Sequence, residues 1–307
     1  MTPLGRLFTI SILVVGLGSL YPLQQWIDDA APRQTISEEK LFLSSGNAIK
    51  RMSLGLTALT ADLYWIRTVQ YFGRKVIDSG VPLSAAATKD LRMDLLAPLL
   101  DIVVTLDPQH IPAYRFGAIF LPERDMPAAT ALVEKGIEQN PNEWRLYQDL
   151  GYIYWQAGNA AAPEEQNAYY SKSALWFEKG GTVSGAPWWM RDLGGLMRIK
   201  GGSRDAARAV YSTYLASDDP NIKAQAVERM KQLRSLDEVD AINSLIARYK
   251  EQKGECPPNL RLFAAVLQSI NMNIDERGLP VDPDGFEYAY DPQKCKVELS
   301  LESTVSR

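Results

Sequence analysis

Apolar residues recur at helical spacing along most of this chain of 307 residues. Within residues 54–77 they recur at helical spacing: Leu56, Leu59, Leu63, Ile66 and Phe72. The same spacing predicts further helices near 37–53, 88–105, 110–122, 126–139, 164–180, 220–235 and 236–253. Ser37 is the candidate N-cap of the first of these, and the cluster Ser44–Asn47 is expected to end or bend it. The pattern therefore predicts an all-α body.

Small residues recur at a fixed period within this helical region. Gly117, Gly151 and Gly194 each follow a bulky residue, and the first two lie 34 positions apart. Ala129 follows Gly117 by twelve positions, as Ala206 follows Gly194. Small residues at such positions allow the two helices of a hairpin to approach closely, and hairpins that cannot bury their apolar faces alone stack on one another. A chance glycine period in an ordinary helical bundle is the alternative.

The order of small and large positions in residues 116–154 resembles the tetratricopeptide repeat, whose period is 34 residues. The residues that carry the resemblance are Phe116-Gly117, Phe120, Ala129, Val133, Gly136 and Pro141, followed by Tyr147, Leu150-Gly151 and Tyr154. The resemblance implies a solenoid of helical hairpins over residues 37–253, with repeats that begin near residues 110, 144 and 187. Residues 54–74 and 106–121 also resemble a group of membrane-anchored bacterial repeat proteins.

Residues 1–36 contain an uncharged segment of 17 residues, Leu7 to Leu23, which Arg6 precedes. This length is at the lower limit for a membrane-spanning helix. The candidate cleavage sites of a signal peptide lie inside the apolar run or far beyond it. We therefore expect an uncleaved transmembrane anchor and linker, with a cleaved signal peptide as the alternative. Because basic residues stay in the cytoplasm, the bulk of the chain is expected to be periplasmic, at the outer face of a bacterial inner membrane.

Residues 254–307 differ in composition from the helical region and predict a small α+β module. A helix near 259–270 is followed by two short strands, near 286–290 and 296–300. Cys256 and Cys295 flank the module, and two cysteines in an exported chain are expected to form a disulfide. The bond would contribute roughly 3–4 kcal/mol to stability in the chain-entropy model. Two free thiols in a chain that never leaves the cytosol are the alternative.

Within this module, residues 279–292 read LPVDPDGFEYAYDP. This string is similar to the P-x-D-P-x-G-x-x-Y segment near the end of the major pseudopilins of type II secretion. In those proteins the segment belongs to a calcium-associated region, but their N-terminal methylation sequence is missing here. Asp282, Asp284 and the Gly285 carbonyl are oxygen donors of the kind that Ca²⁺ prefers, and a turn built by the same residues is the alternative.

Composition and motifs argue against several classes of function. The net charge is −4, from 33 Lys and Arg and 37 Asp and Glu, whereas nucleic-acid binding depends mainly on cations. The sequence contains no phosphate-binding loop, no metalloprotease motif and no nucleophile elbow. The single histidine, His110, follows a predicted turn, and one His with two Cys cannot form a four-ligand zinc site without carboxylates. We therefore expect no enzyme activity, no cofactor and no metal.

The repeat resemblance implies a binding groove on the inner surface of the solenoid. In that family the second, fifth, ninth and twelfth positions of each first helix line the groove. At these positions, the side chains suited to a partner are Tyr114, Arg145, Gln148, Tyr152, Trp155, Trp188, Arg191 and Arg198; the others are Ile111, Ala118, Leu121 and Gly195. Arginines bind carboxylates in bidentate fashion, and aromatic rings supply apolar area. The alternative is that Trp155 and Trp188 pack against neighbouring helices or against the inserted loop at residues 160–165. The family's usual clamp of Lys and Asn is not reproduced.

Together these features predict a non-enzymatic scaffold or adaptor that holds a protein or peptide partner in an Arg and aromatic groove. The pseudopilin-like string points toward envelope, secretion or pilus assembly. The alternative is a stoichiometric accessory subunit of a larger membrane protein complex, with its groove permanently filled.

Overall fold

The structure is a computed structural model that describes residues 45–307, together with Gly16, Gly18, Ser19, residues 21–23, Gln25 and Trp26. The chain is mostly helical, as the apolar spacing predicts. We number the helices from residue 45 onward: α1 Gly46–Met52, α2 Thr57–Ser79, α3 Ala85–Thr88, α4 Leu96–Leu106, α5 Ile111–Phe120, α6 Met126–Gln139, α7 Trp144–Ala160, α8 Pro163–Gly181, α9 Trp189–Lys200, α10 Arg204–Leu215, α11 Pro220–Lys253 and α12 Ala264–Ser269.

The predicted membrane anchor lies largely outside the described residues, and so do Ser37 and most of the linker. The described residues between 16 and 26 are helical. Among all described residues, no helix combines the length and the hydropathy that crossing a membrane requires.

Helices α1, α2 and α4 form the first packed group, and the short α3 contacts α5. The Ser45 hydroxyl caps α1 by accepting from the backbone N–H three residues on, at 3.4 Å. This part of the Ser44–Asn47 cluster therefore starts a helix. The helix that the cluster was expected to end or bend lies, before residue 45, outside the described residues. Helix α2 continues through Gly73 and ends at Gly80, whose φ of 68° is the usual left-handed helix terminus. Helix α4, predicted from residue 88, begins at Leu96 and is buried on most of its surface.

Helices α5 to α10 follow one another as three hairpins. The bounds of α5, α6 and α8 lie close to the predicted ones, and α7 begins at Trp144, where its repeat was predicted to begin. Their small residues lie where helices approach most closely. A Cβ atom added to Gly151 would come within 2.8 Å of the Phe177 ring, and one added to Gly194 would come within 2.8 Å of Glu178. Only glycine leaves room for these contacts, which explains why small residues recur in this region.

Helix α11 is a single helix of 34 residues, so the prediction of two helices meeting near residue 235 is wrong. The Ser235 side chain is buried and donates to the carbonyl of Gln232 at 2.9 Å, inside the same helix. A serine satisfied in this way does not interrupt a helix, and neither Gly nor Pro occurs nearby to end it. The first half of α11 packs on α10 through Ala226 and Leu233.

The C-terminal region contains a 3-10 helix (Leu260–Phe263), helix α12 and a two-stranded antiparallel sheet. Strand β1 (Ala289–Asp291) pairs with β2 (Lys296–Glu298), so that Tyr290 lies opposite Val297. The hairpin is shorter than predicted and its first strand begins later. The predicted disulfide is confirmed: Cys256 and Cys295 are bonded, with their Cα atoms 5.3 Å apart.

The second half of α11 shares one apolar core with this C-terminal region. Ile242 and Ile246 pack against residues of the 3-10 helix, α12 and the sheet, among them Leu260, Leu267 and Val297. The boundary predicted at residue 254 therefore crosses a continuous core, and the module rests on the helix that precedes it.

Candidate partner-binding surface

The eight residues expected to line a groove occupy different environments, and Tyr114 does not reach the surface. Its side chain is fully buried, and its hydroxyl donates to the carbonyl of Pro108 at 3.2 Å. Tyr147 makes the same bond to Pro141, at 3.1 Å. Burial raises the pKa of Tyr114 to about 12, so its hydroxyl remains a proton donor. Tyr114 is thus a structural residue that closes the turn before its helix, and the prediction that it binds a partner is wrong.

Tyr152 and Trp155 face each other on α7 instead of facing outward together. Their rings stack with centroids 5.6 Å apart, and Tyr152 also meets the buried Phe177 edge-on at 5.3 Å. Both residues are half-buried against the core between α7, α8 and α9. The indole N–H of Trp155 is buried and finds no acceptor within the described part of the chain. Trp155 therefore packs against neighbouring helices, which is the alternative to a place in the groove.

Arg198 is held by a carboxylate of its own chain. Its guanidinium donates to both oxygens of Glu178, at 2.9 and 2.7 Å, in the bidentate geometry expected of an arginine with a carboxylate. The hydrogen bonds that Arg198 donates to Glu178 raise the pKa of Arg198. Glu178 engages the Nε and one terminal amino group of Arg198, so the pair joins α9 to α8. Only 23% of the Arg198 side chain is exposed, and only its remaining N–H groups are available to a partner.

A second, partly buried pair of arginine and carboxylate joins the first two hairpins. Arg115 on α5 donates to Asp149 on α7 at 2.9 Å. Burial raises the pKa of Asp149, an effect that the neighbouring Arg115 opposes. The pair spans 34 positions of sequence, one period of the glycine pattern, and it fixes the orientation of adjacent hairpins.

Arg145 is the first of the exposed groove residues, and 47% of its side chain is accessible. It pairs with Glu143 at 3.0 Å, and its guanidinium lies 4.6 Å from the centre of the Trp144 ring. The Trp144 ring in turn meets Trp189 edge-on at 5.7 Å. The aromatic pair therefore connects the start of α7 to the start of α9, while Gln148 is half-buried one turn further along α7.

Trp188 and Arg191 lie at the other end of this aromatic pair. Trp188 is 40% exposed, and its backbone carbonyl accepts from the Tyr214 hydroxyl at 3.3 Å. Arg191 is exposed, and its Nε donates to the carbonyl of Gly181 at 3.0 Å, which leaves other N–H groups of its guanidinium available.

The Trp188 ring forms one wall of a shallow depression of about 480 Å³. The other wall is the first half of α11, and its lining residues are Asn221, Ala224, Gln225, Val227 and Glu228. We call Arg145, Trp188, Arg191 and this depression the Trp188 surface. It offers two cations, an aromatic ring, an aliphatic side chain and amide groups, and its one lining carboxylate, Glu228, pairs with Lys231 at 3.1 Å. These groups suit a polypeptide carrying a carboxylate.

A second exposed surface was missed by the sequence reasoning. Of the five apolar residues whose spacing predicts α2, only Phe72 is buried. The other four, with Ile77, form what we call the α2 stripe: Leu56, Leu59, Leu63, Ile66 and Ile77, whose exposed fractions run from 52% to 79%. The helix packs on its neighbours through a different face, which includes Ala61 and Thr68. A helix that is apolar on two faces is normally covered on both, and this was the signal available in the sequence.

The carboxylates of the pseudopilin-like string are engaged by the chain itself. Asp282 is buried and accepts from the backbone N–H groups of Asp284 and Phe286, at 2.9 and 3.0 Å. Asp284 pairs with Lys231 at 2.7 Å, and this pair lowers the pKa of Asp284. The turn interpretation therefore describes these residues. Within the described chain, no three His, Cys, Asp or Glu residues come together as a metal site would require.

No protein-family model, no curated protein and no solved structure matches this chain.

Proposed function

We propose that the chain is a non-enzymatic scaffold or adaptor, built as a tetratricopeptide-like solenoid on a membrane anchor. It holds a protein or peptide partner at the Trp188 surface, on the outer face of a bacterial inner membrane. The observation that carries the proposal is the exposed Trp188 beside a depression between two helices. The exposed Arg191 follows Trp188 by three positions on α9, and the exposed Arg145 is connected to α9 through Trp144 and Trp189.

The chemistry of this surface indicates the class of partner. The surface carries two exposed arginines and an exposed indole, and arginine and tryptophan are among the residues that most often dominate the energy of a protein interface. The guanidinium of Arg191 uses one N–H on its own chain and retains others for a partner carboxylate. An extended segment with an acidic side chain and an apolar side chain fits these groups. The pseudopilin-like string alone supports a cellular role in the assembly of envelope, secretion or pilus machinery.

The test is the double variant Arg145→Ala with Arg191→Ala, compared with wild type in a mild-detergent pull-down from native membranes. We expect the variant to lose at least about tenfold of the captured partner, because two desolvated charge contacts are removed. Its melting temperature should stay close to that of wild type, since exposed ion pairs contribute only about 0–1 kcal/mol each.

The matched control is Arg248→Ala with Lys250→Ala, which removes the same charge from exposed positions on α11. This control should capture partner as wild type does. Equal capture by both double variants would contradict the proposed site. A fixed set of membrane subunits that stays bound in stoichiometric ratio at high salt would favour the permanent subunit over the transient adaptor.

A further inference from the structure

The residues of the α2 stripe repeat every seven positions. If Leu56 is given the first position of a heptad, the first and fourth positions form a single line along the helix: Leu56, Leu59, Leu63, Ile66, Gln70, Gly73 and Ile77. Five of the seven are large and apolar, and all five are exposed. A narrow stripe at first and fourth positions is the seam of a coiled coil, whereas a helix that packs on a globular core carries a broader face.

The charges beside the stripe indicate what lies against it. Positions that flank a coiled-coil seam form ion pairs between helices and set their relative direction. Here Arg67 and Arg74 lie along one edge of the stripe, and Asp62 lies along the other. All three side chains are exposed. The Asp62 carboxylate approaches the His110 ring nitrogen only to 4.0 Å and retains 64% exposure.

Two copies of this helix side by side in parallel bring Asp62 of each copy next to Arg67 of the other. In a parallel pair, the seventh position of one heptad faces the fifth position of the partner's next heptad. Asp62 is the seventh residue of the first heptad, and Arg67 is the fifth residue of the second. In an antiparallel pair each edge faces itself, so no Asp62 meets an Arg67. We propose that the α2 stripe is the interface with a second copy of this chain, and that the two α2 helices form a short parallel coiled coil.

This arrangement agrees with the anchor predicted from the sequence. Parallel helices related by a twofold axis place both copies of residue 45 at the same end of the interface. Two anchors that start from that end can enter one membrane. The inference does not depend on the Trp188 surface, which lies on other helices.

Cysteine cross-linking of the full chain in its native membrane tests the arrangement. Leu63→Cys places a thiol in the seam, and a short bismaleimide reacts with free thiols while leaving the Cys256–Cys295 bond intact. We expect a covalent dimer from Leu63→Cys. Ala58→Cys, exposed on the same helix but outside the stripe, is the matched control and should remain a monomer.

A second variant measures association directly. Leu59→Asp with Leu63→Asp places charges at two exposed positions, so the fold and the melting temperature should be unchanged. In the purified full chain, native mass measurement should show two copies for wild type and one for the variant. We expect the dissociation constant to rise by at least about tenfold.

Several results would overturn the inference. Wild type that remains a single copy at micromolar concentration would do so, as would equal cross-linking from Leu63→Cys and Ala58→Cys. Lipid would be shown to cover the stripe if the protein in a lipid nanodisc is a single copy and its Leu63→Cys thiol does not react with a water-soluble maleimide. A cross-link from Leu63→Cys to a different protein would assign the stripe to that protein.

Discussion

At the scale of single residues, the absence of a side chain sets the distance between helices. Gly151 on α7 faces the Phe177 ring of α8, which is fully buried and has no room to move. Gly136 on α6 faces the ring of Tyr114 in the same way, at 2.8 Å from where a Cβ would lie. Gly73 on α2 differs, because a Cβ added there would meet no atom within 4 Å.

Gly151→Ala should therefore destabilise the protein, and Gly73→Ala should not. Overpacking against Phe177 outweighs the gain in helix propensity, and we expect the free energy of unfolding to fall by about 1–2 kcal/mol. Gly73→Ala gains propensity without a clash and should raise it by up to about 1 kcal/mol. Urea denaturation of both variants measures the difference. A Gly151→Ala variant as stable as Gly73→Ala would contradict the close helix contact.

Tyr114 was assigned to the groove but lies in the core, and this error shows why the groove was only partly predictable. The glycines Gly117 and Gly151 are 34 positions apart, but the first residues of their helices, Ile111 and Trp144, are 33 apart. Counting from the glycines makes Tyr114 equivalent to Gln148, whereas its bond to the turn makes it equivalent to Tyr147. A difference of one position rotates a side chain by about 100° around a helix, enough to exchange surface for core.

At the scale of secondary-structure elements, helix α11 connects the hairpins to the C-terminal region. Its first half carries Arg229, which pairs with Asp192 of α9 at 3.4 Å. Its second half carries Asn243, whose side-chain amide donates to the carbonyl of Val297 at 3.1 Å and accepts from its N–H at 2.8 Å. The side-chain amide of Asn243 pairs with the backbone of strand β2 and so holds the strand on helix α11.

Asn243→Ala should loosen the C-terminal region while leaving the hairpins intact. The change removes both bonds and leaves the buried backbone of Val297 unpaired, at a cost of about 2 kcal/mol. We expect faster amide hydrogen exchange in β1 and β2 and unchanged exchange in α7 and α8. Ser244→Ala, exposed on the same helix, is the control and should exchange as wild type does. Unchanged exchange in the two strands of Asn243→Ala would contradict this role of α11.

The sequence pattern predicts which residues share a helix face more reliably than it predicts what covers that face. The bounds of α5, α6 and α8 follow from capping residues, prolines and apolar spacing, and the structure places them close to the predictions. The α2 stripe has equally regular spacing, yet it is exposed, because the helix packs through Ala61, Thr68 and Phe72. Burial depends on which elements meet in the fold, and short-range periodicity does not contain that information.

At the scale of the whole molecule, the described chain presents two exposed surfaces on a stable helical frame. The Trp188 surface combines cations with an aromatic ring, and the α2 stripe is apolar with charged edges. The disulfide closes the C-terminal region and contributes about 4 kcal/mol in the chain-entropy model, for residues 39 positions apart. With the proposed function and the inferred dimer, the protein is a dimeric scaffold that holds a partner at the Trp188 surface of each copy.

Site-specific photo-cross-linking from position 188 in native membranes tests that claim most directly. A photoreactive phenylalanine analogue replaces Trp188, and in a control it replaces Leu262, which is 55% exposed in the C-terminal region. We expect a defined protein to be cross-linked from position 188 and not from position 262. This product should be lost when Arg145→Ala and Arg191→Ala are added. Cross-links from position 188 to its own chain alone, or the same products from both positions, would contradict a partner-binding role for this surface.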